Sequence, residues 1–175
     1  MKKLFTLLLS LSLLLSACGG PLGSNAPEDM PEELKQSFID NIEVSLSQID
    51  EGTTGITVYS DLGYAYQMLG EYDEAIHYYE LILELDISNY QALNNMVDIY
   101  EDLEDTEQAR EYAKLLYSYN ADNASVLKKV IIVFLADDQP ELALEALENF
   151  ARLHSGDDAY TQLISDQYEK IADTN

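Results

Sequence analysis

Gln91, Asn94, Asn95, Asp98, Glu101 and Asp102 stand within 12 residues of one another, and Lys128 and Lys129 follow 34 residues behind Asn94 and Asn95. Carboxamides, carboxylates and ammoniums at this density offer hydrogen bonds and charge to a peptide, and none of them is an activated nucleophile. On a helix the six positions from Gln91 to Asp102 share a face, because residues three, four and seven apart are neighbours. Thr57, Ser60, Asp61 and Tyr64 hold the same relation 34 residues earlier, and Ser125 and Ile132 flank the two lysines 34 residues later. The candidate binding set is therefore Ser60, Tyr64, Gln91, Asn94, Asn95, Asp98, Glu101, Lys128 and Lys129. It is acidic and amide-rich in its early part and basic at its end.

Other chemistry finds little material. His77 and His154 lie 77 positions apart, outside any His-x-x-x-His spacing for a metal. No Gly-x-Ser-x-Gly elbow is present, and the pairs Asp137-Asp138 and Asp157-Asp158 lack the alternating oxygens and glycine of a calcium loop. The expectation is no enzyme, with no catalytic residue, no metal ligand and no cofactor. Asn123-Ala124-Ser125 spells a glycosylation sequon, but Asn123 fits better as a helix cap. The chain carries 33 acidic residues against nine basic ones, a formal charge of −24, which repels phosphate backbones and disfavours nucleic acid as a partner. A protein or peptide of polar or basic character is the compatible class. Much of the acid also serves simply to solvate helix faces.

The elements that must position the candidate set announce themselves by repetition. Ala75, Ala109 and Ala143 are spaced by 34 residues, as are Tyr66, Tyr100, Phe134 and Tyr168, and the helix-start residues Asn89, Asn123 and Asp157. Bulk recurs at Tyr59-Leu62-Gly63-Tyr66, Leu93-Met96-Val97-Tyr100 and Leu127-Val130-Ile131-Phe134, the stripe of a first helix, with Gly63 leaving room for a partner. A second helix contributes a small residue, Ala75, Ala109 or Ala143, where the pair crosses closest. Tyr59, Tyr66, Tyr72 and Tyr79 then read as packing residues. Tyr64 and Tyr78 are not absorbed by the stripe: Tyr64 lies away from the seam, with the candidate set, and Tyr78 lies on the second helix, outside that face.

A helix–turn–helix period of 34 residues resembles the tetratricopeptide repeat. The stretch LGYAYQMLGEYDEAIHYYELILELD is similar to the family pattern; the two later units match less closely, and the family's tryptophan is replaced by Tyr59, Leu93 and Leu127. The resemblance implies an all-α, short right-handed solenoid of about three units over 56–89, 90–123 and 124–157, preceded by an N-terminal helix over 31–52 and closed by a capping helix over 158–172. It also implies a concave groove lined by the first helices and occupied by a protein or peptide. Some family members clamp a terminal carboxylate with lysines and asparagines from successive units. Asn94, Asn95, Lys128 and Lys129 match that set in part, but Ser60, Tyr64 and Asp98 stand where other groups are needed, so no carboxylate clamp is expected.

The N-terminal region carries a signal of a different kind. Lys2 and Lys3 precede an apolar run from Leu4 to Leu15, the layout of an export signal over 1–17 and shorter than the ~20 residues of a membrane span. Leu15-Ser16-Ala17-Cys18 resembles the lipid-attachment signal of bacterial lipoproteins, and Cys18 is the only cysteine. The resemblance implies lipidation at Cys18 and a cell-envelope location, anchored on the extracytoplasmic side. Residues 18–30, rich in glycine and proline, are expected to be a flexible linker reaching roughly 20 Å. Two functions are compatible with these features. One is an anchored scaffold whose groove binds a partner through a few side chains, in the assembly of an envelope complex. The other is an acidic surface lipoprotein that sequesters cationic peptides or metal ions by diffuse charge, a capture that high salt would screen. Cys18→Ser is expected to release the protein from membranes or leave it unprocessed. Membrane fractionation checks this, and a cleaved variant that remains membrane-bound at the unsubstituted mass contradicts it.

Overall fold

The computed structural model describes residues 21–137 and 139–153. The export signal, Cys18, Asp138, His154, Asp157-Asp158 and the expected capping helix fall outside them. Every regular element among the described residues is helical, and they divide into two units that part after Ile87. The first holds α1 (Glu32–Asp50), α2 (Ile56–Met68) and α3 (Tyr72–Leu85); the second holds α4 (Tyr90–Asp102), α5 (Thr106–Asn120), α6 (Ala124–Ala136) and α7 (Pro140–Leu153). The expected all-α class is the one observed. No described helix is long and apolar enough to cross a membrane.

In the first unit α2 packs on both α1 and α3. Pro31 opens α1 with Glu32 and Glu33 in the first turn, where the helix dipole favours negative charge. The buried stripe of α1 is Phe38, Ile42 and Ser45. Leu34, which the four-residue spacing places at the head of that stripe, is 43 % exposed. The burial runs from Phe38 onward. Between α2 and α3 the decisive contact is Gly63 against Tyr79. A Cβ on Gly63 would stand 2.8 Å from Tyr79 Cε1 and 3.0 Å from Cδ1. The Tyr79 ring is 1 % exposed, and its hydroxyl donates to Gln67 Oε1 at 2.9 Å, so it has nowhere to retreat.

The second unit stacks two helical hairpins, α4–α5 and α6–α7, through an α5–α6 contact. Its core is Leu93, Met96 and Val97 of α4, Ala109, Ala113 and Leu116 of α5, Val126 to Phe134 in part on α6, and Ala143, Leu147 and Phe150 of α7. Asn89 and Asn123 cap α4 and α6: Ala92 N donates to Asn89 Oδ1 at 3.0 Å, and Ser125 N to Asn123 Oδ1 at 2.9 Å. Each such cap contributes about 1 kcal/mol. Asn123, the sequon residue, is thus engaged in helix initiation.

One backbone device closes α2, α4 and α6. Glu71 N donates to Tyr66 O at 3.0 Å, Asp105 N to Tyr100 O at 2.9 Å and Gln139 N to Phe134 O at 2.8 Å. At the ends of α2 and α4 the residue just before the donor is left-handed. Gly70 takes this conformation at φ 71°, whereas Glu104 adopts φ 57° despite its side chain. The 34-residue period thus repeats the turn geometry even where the residue type resists it.

The Gly63 contact sets a stability test. Gly→Ala in an open helix gains about 1 kcal/mol from propensity, but overpacking a closed core typically costs about 1–3 kcal/mol. Gly63→Ala is therefore expected to lower the urea midpoint of unfolding, and a midpoint equal to or above that of the unsubstituted chain would contradict this packing.

Candidate binding face

Each unit carries its own part of the candidate set, on the sides of α2, α4 and α6 that their cores leave outward. In the first unit Ser60 is half-buried and Thr57 and Asp61 are exposed on α2. Tyr64 is 52 % exposed, and its ring meets Phe38 of α1 edge to face, with centroids 6.0 Å apart. One edge of the ring is thereby held by α1 and the remainder faces solvent, an arrangement that suits an amphipathic contact residue.

In the second unit α4 and α6 bring their polar residues into one network. Asn94 Nδ2 donates to Asp98 Oδ2 at 3.1 Å, one turn along α4. Lys129 Nζ reaches across from α6 to Asp98 Oδ1 at 2.5 Å. Both oxygens of Asp98 are thus engaged, one by an amide and one by an ammonium. Gln91 and Glu101 are exposed on the same helix, Asn95 and Lys128 are half-buried, and Ile132 on α6 is 63 % exposed. An isoleucine so open, one turn from Lys128, gives the polar face an apolar spot. The structure brings together Asn94, Asp98 and Lys129 of the candidate set, and the charge of Lys129 is met by a carboxylate of its own chain.

Glu101 feels this crowding. Partial burial pushes its carboxyl above the usual range, Asp98 pushes it further, Lys129 pulls it back and Asp102 adds to the rise. A carboxyl raised in the folded state contributes stability that is complete below its unfolded pKa and is lost as pH rises through the folded value. Among the described residues no group of three His, Cys, Asp or Glu side chains is arranged to hold a metal ion.

Tyr78, which the sequence leaves unassigned, is half-buried and stacks on Tyr66 with centroids 5.8 Å apart and planes 5° apart; Tyr59 lies 6.2 Å from it. Tyr100 and Tyr112 form the same stack in the second unit at 5.4 Å and 13°. Nothing in the residues around Tyr112 sets it apart. The signal that finds it is the period, since 34 residues separate Tyr78 from Tyr112 as they do Tyr66 from Tyr100. Tyr59 and Tyr72, expected as packing residues beside Tyr66 and Tyr79, are half-buried. Burial, followed by Tyr78, Glu74 and Glu71, pushes the Tyr66 phenol well above its ordinary value, so it remains neutral.

The fold and this face define a helical-repeat protein, and comparison with known families specifies the repeat. Two models, each described as the tetratricopeptide repeat, match the chain, one over residues 56–89 and one over residues 90–123. Residues 56–123 are thus similar to two consecutive tetratricopeptide repeats. No curated protein sequence matches it. Among solved structures it is similar to a crystal structure of MamA, with a TM-score of 0.64 at 19 % identity over 79 % of this chain and 81 % of that one. It is similar to a second MamA structure at 0.56 and 22 %, over 66 % of this chain and 63 % of that one, so the chain spans under two thirds of that relative. A third is the first tetratricopeptide domain of Spaghetti (RPAP3) bound to the HSP90 peptide SRMEEVD, with a TM-score of 0.53 and 22 % identity over 66 % of this chain and 91 % of that one. At these identities the likeness is one of fold.

Because the Glu101 carboxyl is raised, its replacement should matter only where it would be ionised. Glu101→Gln is expected to leave stability unchanged below the carboxylate range and to raise it, relative to the unsubstituted chain, as pH climbs to neutrality. Urea midpoints across that range check it; a difference that is flat with pH, or of opposite sign, contradicts the environment described for Glu101.

Proposed function

We propose that the protein is a lipid-anchored, extracytoplasmic scaffold that binds a protein or peptide along the outward faces of its first helices, in the assembly of an envelope complex. A protein-interaction scaffold is the role that tetratricopeptide repeats and their structural likenesses support. The anchor and the envelope location rest on the sequence around Cys18. The contact residues proposed are Ser60 and Tyr64 in the first unit, and Gln91, Asn94, Asn95, Asp98, Glu101, Lys128 and Lys129 in the second.

The Lys129–Asp98–Asn94 network is the observation that carries this reading. It orders polar side chains from two helices before any ligand arrives, which reduces the entropic cost of binding. It also supports one class of ligand over another. The peptide in the RPAP3 structure, SRMEEVD, is acidic. Here Lys129 is already paired, and Asp98, Glu101 and Asp102 outnumber Lys128 and Lys129 on the two helices. A segment with amide or basic side chains fits that balance, with Ile132 meeting an apolar group beside it.

Diffuse capture of cations by the acidic surface is the competing mechanism, and equal charge changes at different places separate the two. Asp98→Asn with Glu101→Gln removes two negative charges from the face; Glu84→Gln with Glu107→Gln removes two from exposed positions on α3 and α5. The partner recovered by crosslinking in native membranes is titrated against both double variants at low and physiological salt, with circular dichroism to verify folding. The first pair is expected to weaken binding by about 1–3 kcal/mol for each charged hydrogen bond to the partner that it removes, and the second to change little. Equal weakening by both pairs that vanishes in high salt would favour diffuse capture and overturn the face.

A further inference from the structure

Glu71 occupies the N-cap position of α3, and Asp105 occupies the same position of α5, 34 residues on. Asp105 does what that position favours: its side chain accepts from Gln108 N at 3.1 Å. Glu71 does not cap α3 at all. Its carboxylate turns away, is 2 % exposed, and accepts instead from the chain that precedes α1. Gly23 N donates to Oε1 at 3.1 Å and Asn25 Nδ2 to Oε2 at 2.9 Å. A buried carboxylate stripped of such donors is costly, so both partners are needed where they stand.

Residues 21–26 are shaped for this contact. Ser24 N donates to Pro21 O at 2.9 Å and Ala26 N to Gly23 O at 3.3 Å, which turns the segment back on itself. Gly23, at φ 79°, is wedged between α1 and the α2–α3 turn: a Cβ there would stand 2.8 Å from Lys35 Cε and 3.6 Å from Leu69 Cδ2. On the opposite side, a Cβ on Gly70 would stand 2.5 Å from Asn25 O. Residues 21–30, expected as flexible coil, are thus folded onto the first unit for at least part of their length, and Glu71 is the side chain that holds them.

We propose that this strap orients the first unit at the membrane, with the α2–α3 turn toward the lipid. The inference rests on the anchor at Cys18 proposed above. Gly23, the first backbone group bound by Glu71, lies five positions after Cys18, so the chain between them spans at most about 18 Å. The attachment point lies beside the α2–α3 turn, and α3 leads away from it. A coil running undocked to Pro31 would impose no such direction.

Two measurements on the mature chain test this. In detergent, the Gly23 amide is expected to exchange about tenfold or more slowly than an unprotected amide. Glu71→Ala should abolish that protection, and Asp73→Ala, an exposed neighbour on α3, should not. In vesicles, a fluorophore is placed at Asp73→Cys or at Glu84→Cys, positions 11 residues and about 16 Å apart along α3. Quenching by nitroxide lipid is expected to be stronger at 73 than at 84, and the difference should collapse when Glu71→Ala is added. An unprotected Gly23 amide, or equal quenching at the two sites with Glu71 in place, overturns the strap. Retention of a cleaved Cys18→Ser chain in membranes overturns the anchor instead, and the exchange result still reports on the docking of residues 21–26.

Discussion

The α2–α3 hairpin depends on the absence of a side chain at Gly63. Without a Cβ there, the Tyr79 ring lies directly on the α2 backbone, and Ala75, fully buried one turn earlier on α3, keeps the two helices equally close. The second unit reaches the same crossing by other means. Val97 stands in the position of Gly63 and Ala113 in that of Tyr79, so a large residue moves to the first helix and a small one to the second. Volume at the crossing is conserved in kind, large against small, although each partner has changed. That exchange is what volume-conserving packing tolerates.

Once the hairpins are closed, the outward sides of α2, α4 and α6 carry fewer packing requirements than the seams. They are therefore where the chain can vary its chemistry. Asp98 shows how such freedom is used. It lies on a strongly acidic chain, yet its two oxygens are met by Asn94 and Lys129, one of only nine basic residues in the sequence. Arg110 does the same on α5, bonding both Glu111 and Asp137 at the end of α6. These scarce cations thus join helices, and Arg110, held by the hydrogen bonds of Asp137 and then Glu111, is pushed up in basicity by them. The chain as a whole remains strongly acidic, with 33 acidic residues against nine basic ones.

Much of this was legible in the sequence, because a period is a global signal that survives local change. Spacings of 34 residues placed the buried alanines, the first-helix stripes and the caps at Asn89 and Asn123 without reference to coordinates. The polar face of α4 was legible for the same reason, since helical geometry alone separates Asn94 and Asp98 from Met96 and Tyr100. The period also contained the Tyr78–Tyr112 equivalence, which local reading of each segment passed over.

Tertiary structure decided what depends on contacts between residues distant in sequence. Leu34 sits on the four-residue spacing of Phe38 and Ile42 and is nevertheless exposed, which no spacing within α1 encodes. The pairing of Lys129 with Asp98 spans 31 residues and two helices, and it determines that the lysine is engaged rather than offered. Glu71 is the clearest case. By sequence it is an acidic residue at a helix start, the place where a cap is expected; by structure it is buried and bound to Gly23 and Asn25, 48 and 46 residues away. Composition made residues 21–30 look like coil, because glycine and proline carry no apolar period. Their order comes instead from backbone and amide hydrogen bonds to one carboxylate, an interaction that leaves no pattern in the sequence around it.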